Sequence, residues 1–151
     1  MSWVPRLLLL LLLLTASLSF AQQTTVTVRL PELLMLELAE TRGTTLEQAL
    51  SVTVNQGSYS FSPKMSSLRI LSTGSWQLMM SVQTTSLERI RLLAKLEETA
   101  RSFPLANYPQ TVLNGGSTAG WRTVKVHYSL ANPLPPEGSY VLKVNYSLVR
   151  P

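Results

Sequence analysis

Two stretches near the C-terminus set the pattern from which the rest of the chain is read. In 123–130, Val124, Val126, Tyr128 and Leu130 alternate with Thr123, Lys125, His127 and Ser129; in 139–148, Tyr140, Leu142, Val144, Tyr146 and Leu148 alternate with mostly polar residues. Residues two apart on a strand share a face, so each stretch predicts a strand with one buried and one wet side, as in an antiparallel sheet that covers a core. Between them, Pro133, Pro135 and Pro136 lack the donor a ladder needs, and Gly138 permits a sharp bend. The pair reads as a β-arch or a long-looped hairpin.

The same period of two recurs upstream. Val26, Val28 and Leu30 alternate with polar residues, Pro31 interrupts, and 33–38 resumes, which predicts one long strand broken at Pro31, at an edge or bulge where it can switch sheets. Thr41-Arg42-Gly43 reads as a turn, 50–55 as a strand, and Gln56-Gly57-Ser58 as a turn into Tyr59-Ser60-Phe61, which Pro63 ends. Strands at 68–72 and 76–82 flank Thr73-Gly74-Ser75, predicting a second hairpin in which Trp76, Leu78, Met80 and Val82 share the core face. A short strand is expected at 110–113.

The segment 86–101 departs from this rhythm. Thr85 and Glu88 fit a capping box, and Leu87, Ile90, Leu93, Ala94 and Leu96 among charged residues suit a short amphipathic helix. The competing reading is an extended segment, since Ile90, Leu92, Ala94 and Leu96 also alternate. The expectation is therefore an all-β, immunoglobulin-like antiparallel sandwich with Greek-key connections and one short helix in 86–101.

The N-terminus belongs to a different class of segment. Arg6 precedes an unbroken leucine run over 7–14, which softens into Ser19-Phe20-Ala21. A positive charge, an apolar core and small residues before a cleavage point are the layout of a signal peptide, residues 1–21. The alternative is an anchor, but the 15 residues of 7–21 fall short of the roughly 20 needed to cross a bilayer. Cleavage leaves 22–151 as a single domain, secreted or periplasmic, with no stable membrane span.

Composition narrows the chemistry. The net charge of +5 falls to +4 without Arg6, and the basic residues form no run, so a nucleic-acid partner is not expected; the surplus gives a mild preference for acidic polymers. There is no cysteine, no aspartate, and one histidine, His127. Thiol catalysis, an aspartate-supported serine triad, an aspartate dyad and multi-histidine zinc all lack their parts. No enzyme, cofactor or metal is expected. His127 lies on the polar parity of its strand and reads as a solvated side chain, while Glu97 and Glu98, being adjacent, point apart. Tyr128, Tyr140 and Tyr146 read as core rings with hydroxyls at the rim. Asn145-Tyr146-Ser147 matches a glycosylation sequon, a pattern short enough to arise by chance.

The Gly74-Ser75-Trp76-Gln77-Leu78 segment and the closing Pro-Pro-x-Gly-x-Tyr-x-Leu-x-Val-x-Tyr-x-Leu over 135–148, together with the leader and the Val26-x-Val28 strand, resemble small exported bacterial proteins of the spore coat protein U and pilin-like type. That resemblance implies an immunoglobulin-like sandwich completed by the closing strand, and a surface, coat or fimbrial subunit without catalytic residues. The cysteine pairs of many such proteins are absent here. The expected function is thus a structural or assembly protein of the cell surface or periplasm, self-associating or pairing with other surface proteins, with Val26, Val28 and Leu30 as the strand-exchange segment. The alternative is a secreted binding module for cell-wall polysaccharide or another exported protein. N-terminal sequencing of exported protein should return Gln22; full-length chain recovered only in the membrane pellet would refute the leader.

Overall fold

The computed structural model describes residues 24–28, 31–84 and 90–151. The chain divides into Met1–Pro31 and Glu32–Pro151. Among its described residues the second unit carries eleven strands and no helix: β1 (Leu34–Leu38), β2 (Thr41–Gly43), β3 (Thr45–Asn55), β4 (Ser58–Ser62), β5 (Met65–Ser72), β6 (Trp76–Gln83), β7 (Leu92–Leu96), β8 (Ser102–Pro104), β9 (Gln110–Gly115), β10 (Arg122–Leu130) and β11 (Gly138–Val149). They form two antiparallel sheets packed as a sandwich, in the orders β2-β1-β5-β10-β7-β8 and β4-β3-β11-β6-β9. The expected immunoglobulin-like β-sandwich is what the chain builds.

Only β1–β2, β3–β4 and β7–β8 are neighbours both in sequence and in a sheet. The other connections carry the chain across the sandwich. Two of the hairpins turn through residues with positive φ, Ala39 (46°) with Glu40 (69°) and Gln56 (48°) with Gly57 (75°), the backbone twist that matches the twist of flanking strands. The first turn thus falls at Ala39-Glu40, not at Thr41-Arg42-Gly43 as expected. That triplet is strand β2, paired with β1 through Leu36↔Gly43, Glu37↔Arg42 and Leu38↔Thr41.

The two C-terminal stretches are β10 and β11, and they do not pair with each other. β10 lies between β5 and β7, β11 between β3 and β6, so 131–137 forms an arch between the sheets. The link at 73–75 does the same for β5 and β6, correcting the expected hairpin. Its groups bond elsewhere: Thr73 N donates to Leu33 O at 3.0 Å and Ser117 Oγ to Thr73 O at 2.8 Å. A period of two says which side of a strand is buried, but not whether the next strand continues the sheet or faces it.

The expected helix is absent from the described part of 86–101; residues 85–89, with the capping-box positions, lie outside it. Leu92–Leu96 is strand β7, with Ile90, Leu92, Ala94 and Leu96 all buried. Its pairing to β10, Tyr128↔Ala94 at its middle, gives backbone partners and an apolar face that outweigh local helix propensity. Residues 24–28 are likewise not a strand.

The core is the sum of the inward faces, with Leu36, Leu50, Leu68, Ile70, Leu78, Met80, Val124, Val126, Leu142 and Val144 fully buried. Trp76 is also fully buried, and its indole N–H donates to Gly116 O at 2.8 Å, as a buried indole requires. Gly115 makes room for it: a Cβ there would lie 2.6 Å from Trp76 Cζ2.

One polar group of four sits inside this core. Tyr146 (β11) and Gln48 (β3) come from one sheet, Tyr128 (β10) and Ser66 (β5) from the other. Tyr146 OH donates to Gln48 Oε1 at 3.0 Å, Ser66 Oγ also donates to Gln48 Oε1, and Tyr128 OH bonds to Ser66 Oγ at 2.7 Å and to Tyr146 OH. The hydroxyls therefore meet in the interior, not at the rim as expected, because Gln48 and Ser66 share the inward parity and supply partners there. Burial pushes both phenols above their ordinary range, so both stay neutral and able to donate. Tyr140 alone keeps to the rim, donating to Pro136 O at 2.6 Å.

Val144 is fully buried and stands in register with Gln48 and Val82. Val144→Asp would bury a carboxylate without a partner and should abolish folding, whereas Asn145→Asp, on the outward side, should shift the melting temperature little. Thermal unfolding of the two variants checks the register, and equal losses would refute it.

Candidate functional site

The outer face of the six-stranded sheet carries a row of side chains in register across four strands. Arg42 on β2 stands opposite Glu37 on β1, Glu37 opposite Arg69 on β5, and Arg69 opposite Thr123 on β10. Glu37 has outward parity yet is only 8% exposed. Arg42 Nε donates to its Oε2 at 2.5 Å and Arg69 Nη1 to its Oε1 at 2.6 Å. Trp121, two residues before Thr123 and so of the same parity, completes the group: the guanidinium carbons of Arg42 and Arg69 lie 5.3 and 4.6 Å from its ring centroid, within cation–π range.

The electrostatics follow from the count of charges. One carboxylate faces two guanidiniums, which leaves the group with one positive charge in excess, and the two arginine side chains remain 57% and 42% exposed. Hydrogen bonding from Arg42, with Arg69 adding to it, holds the Glu37 carboxyl below the usual carboxylate range against the opposing effect of its burial. The chemical offer is a half-buried aromatic ring beside guanidinium donors not consumed by Glu37, the combination that takes up a flat apolar surface and a carboxylate together.

The same face continues along β10. Lys125 lies 4.0 Å from Glu97, and His127 stands opposite Met65 on β5 and Lys95 on β7. His127 is exposed, as its parity predicted. Glu97 and Glu98 do point apart, Glu97 to Lys125 and Glu98 to Arg122. Arg122, which has the inward parity, lies 5.3 Å from the Trp76 ring at the end of the core. Among the described residues no three of His, Cys, Asp and Glu are grouped as metal ligands would be.

Of the expected strand-exchange residues, Val26 and Val28 are each 74% exposed; Leu30 lies outside the described residues. A second surface is the open side of the sandwich, where the end strands β8 and β9 enclose a groove of about 560 Å³ lined by Phe103, Pro104, Gln110, Thr111 and Val112 among others. The Trp121 group was not singled out from sequence. The signal for it was present, since Trp121 is an aromatic residue on the parity of Thr123, Lys125 and His127. Arg42 and Arg69, distant in sequence, gave none. No family model, curated protein or solved structure matches this chain.

Because the folded-state pKa of Glu37 lies below its ordinary value of 4.5, its ionisation stabilises the fold above that value and the contribution is lost as pH falls through the lowered one. The melting temperature of Glu37→Gln should therefore lie below that of the parent at pH 6, with the gap closing toward pH 3. A gap independent of pH would refute the ion-pair account.

Proposed function

We propose that the chain is an exported, non-catalytic structural or assembly protein of the cell surface or periplasm, a coat- or pilin-like subunit released from its leader after Ala21. The observation that carries this reading is the exposure of Val26 and Val28 (74% each) in an alternating segment whose described residues, 24–28, form no strand. A segment of that pattern can add to a sheet edge of another copy, with backbone groups completing the ladder and alternate side chains filling an apolar groove. The β8–β9 side offers both the edge of β9 and the groove containing Phe103 and Val112. Self-association by strand exchange follows, with Val26, Val28 and Leu30 as the donor residues.

A second reading, a secreted binding module for polysaccharide or another exported protein, is favoured by the Trp121 group. The two readings separate in the ultracentrifuge. Under the first, the mature protein forms polymers that lengthen with concentration, deletion of 22–30 abolishes them, and a peptide of 22–30 added in trans caps their growth. A mature protein that stays monomeric at high concentration, with amides of 26–28 as protected as those of β11, would overturn the assembly reading and leave the binding module.

A further inference from the structure

We propose that the outer face of the six-stranded sheet is a binding track for an acidic polysaccharide, with Trp121 stacking on a sugar ring and Arg42 and Arg69 taking the carboxylate of a uronic acid. The class of partner rests on the binding-module reading; the site itself is independent of strand exchange.

The proposal starts from the unequal charge of the Glu37 group. A structural ion pair needs one cation per carboxylate, yet Glu37 holds two guanidiniums through single bonds of 2.5 and 2.6 Å, one to each oxygen. Each guanidinium carries five N–H donors, so both keep donors for a second anion, and Glu37 fixes their positions in advance. Trp121 lies within 5.3 Å of both, which brings the flat apolar ring and the charged donors to one place. A pyranose presents C–H groups on one face, and a uronate adds a carboxylate at its rim.

Cations recur across this face on four of its strands, with Glu37 of β1 between the first two. Arg42 is on β2, Arg69 on β5, Lys125 on β10 and Lys95 on β7, over four strand spacings, or roughly 19 Å. Lys125 and Lys95 share the outward parity, since Lys125 pairs with Ser67 and Lys95 with His127. Glu97, 4.0 Å from Lys125, is the acid at that end. Separate cations on a flat sheet suit a polymer with one charge on each sugar. A nucleic acid, with its denser charge and successive bases, calls for clustered basic residues and several aromatic rings, and this group has one ring.

The test is an NMR titration of the ¹⁵N-labelled protein with polygalacturonate oligomers, with dextran oligomers and single-stranded oligothymidylate in parallel. The proposal expects the Trp121 indole N–H and the Arg42 and Arg69 Nε–H signals to shift with the uronate, and the shifts to fade in about 0.5 M salt. Arg42→Gln with Arg69→Gln should weaken binding about tenfold or more, the scale of losing charge-assisted hydrogen bonds. Since that pair leaves Glu37 without a cation, Lys125→Gln with Lys95→Gln, away from it, should also weaken binding several-fold with the fold intact. Absence of shifts at Trp121 up to about 10 mM uronate overturns the proposal. So does binding unchanged in both double variants, or oligothymidylate moving the same signals at lower concentration. Dextran binding that leaves Trp121 unmoved would overturn this site while keeping a polysaccharide-binding module; no binding of any glycan would remove both.

Discussion

The two sheets are fixed to each other by four polar side chains that meet between them, three buried and Gln48 half-buried. Apolar side chains alone would let one sheet slide on the other at modest cost, because burial is not directional. Tyr128, Tyr146, Ser66 and Gln48 remove that freedom, since each needs the others to satisfy its hydrogen bonds and the two pairs come from opposite sheets. Leaving one such group unsatisfied costs about 1–3 kcal/mol, a large part of the net stability of a domain. Among the described residues no buried side-chain polar atom is left without a partner. The constraint also reaches the outer face: β5 and β10, which supply Ser66 and Tyr128 inward, supply Arg69 and the approach to Trp121 outward.

Much of this was legible in the sequence, and the reasons for success and failure are physical. The alternation of Val124, Val126 and Tyr128, and of Leu142, Val144 and Tyr146, identified the buried faces correctly because burial acts residue by residue. The pairing did not follow, since Thr73-Gly74-Ser75 serves an arch as readily as a hairpin. At 90–96 two periodicities competed, and the winner was decided by the β10 edge, contributed by residues some thirty positions later. The Glu37 group was out of reach for the same reason. Its members come from β1, β2, β5 and the residue just before β10, and only the register Arg42–Glu37–Arg69–Thr123 makes them neighbours. The parity of Trp121 was readable; its partners were not.

The two candidate surfaces use different parts of the same scaffold. The β8–β9 side offers backbone groups of an end strand and a groove in which Phe103, Pro104 and Val112 lie among polar residues and Arg101. The outer face of the other sheet offers side chains only, since its backbone is consumed in ladders, and its selectivity is electrostatic. The proposed strand exchange and the proposed glycan track do not compete for surface, because strands added at an edge leave a sheet face uncovered.

The strand order has one more consequence, for how the molecule is made. β10 and β11 are the last strands in the chain, yet each occupies the interior of its sheet. Until they are delivered, the strands already synthesised can form only β2-β1-β5 and β7-β8 on one side and β4-β3 and β6-β9 on the other, three of them two-stranded pieces that are marginal alone. Neither sheet of the sandwich is therefore continuous until β10 and β11 are in place.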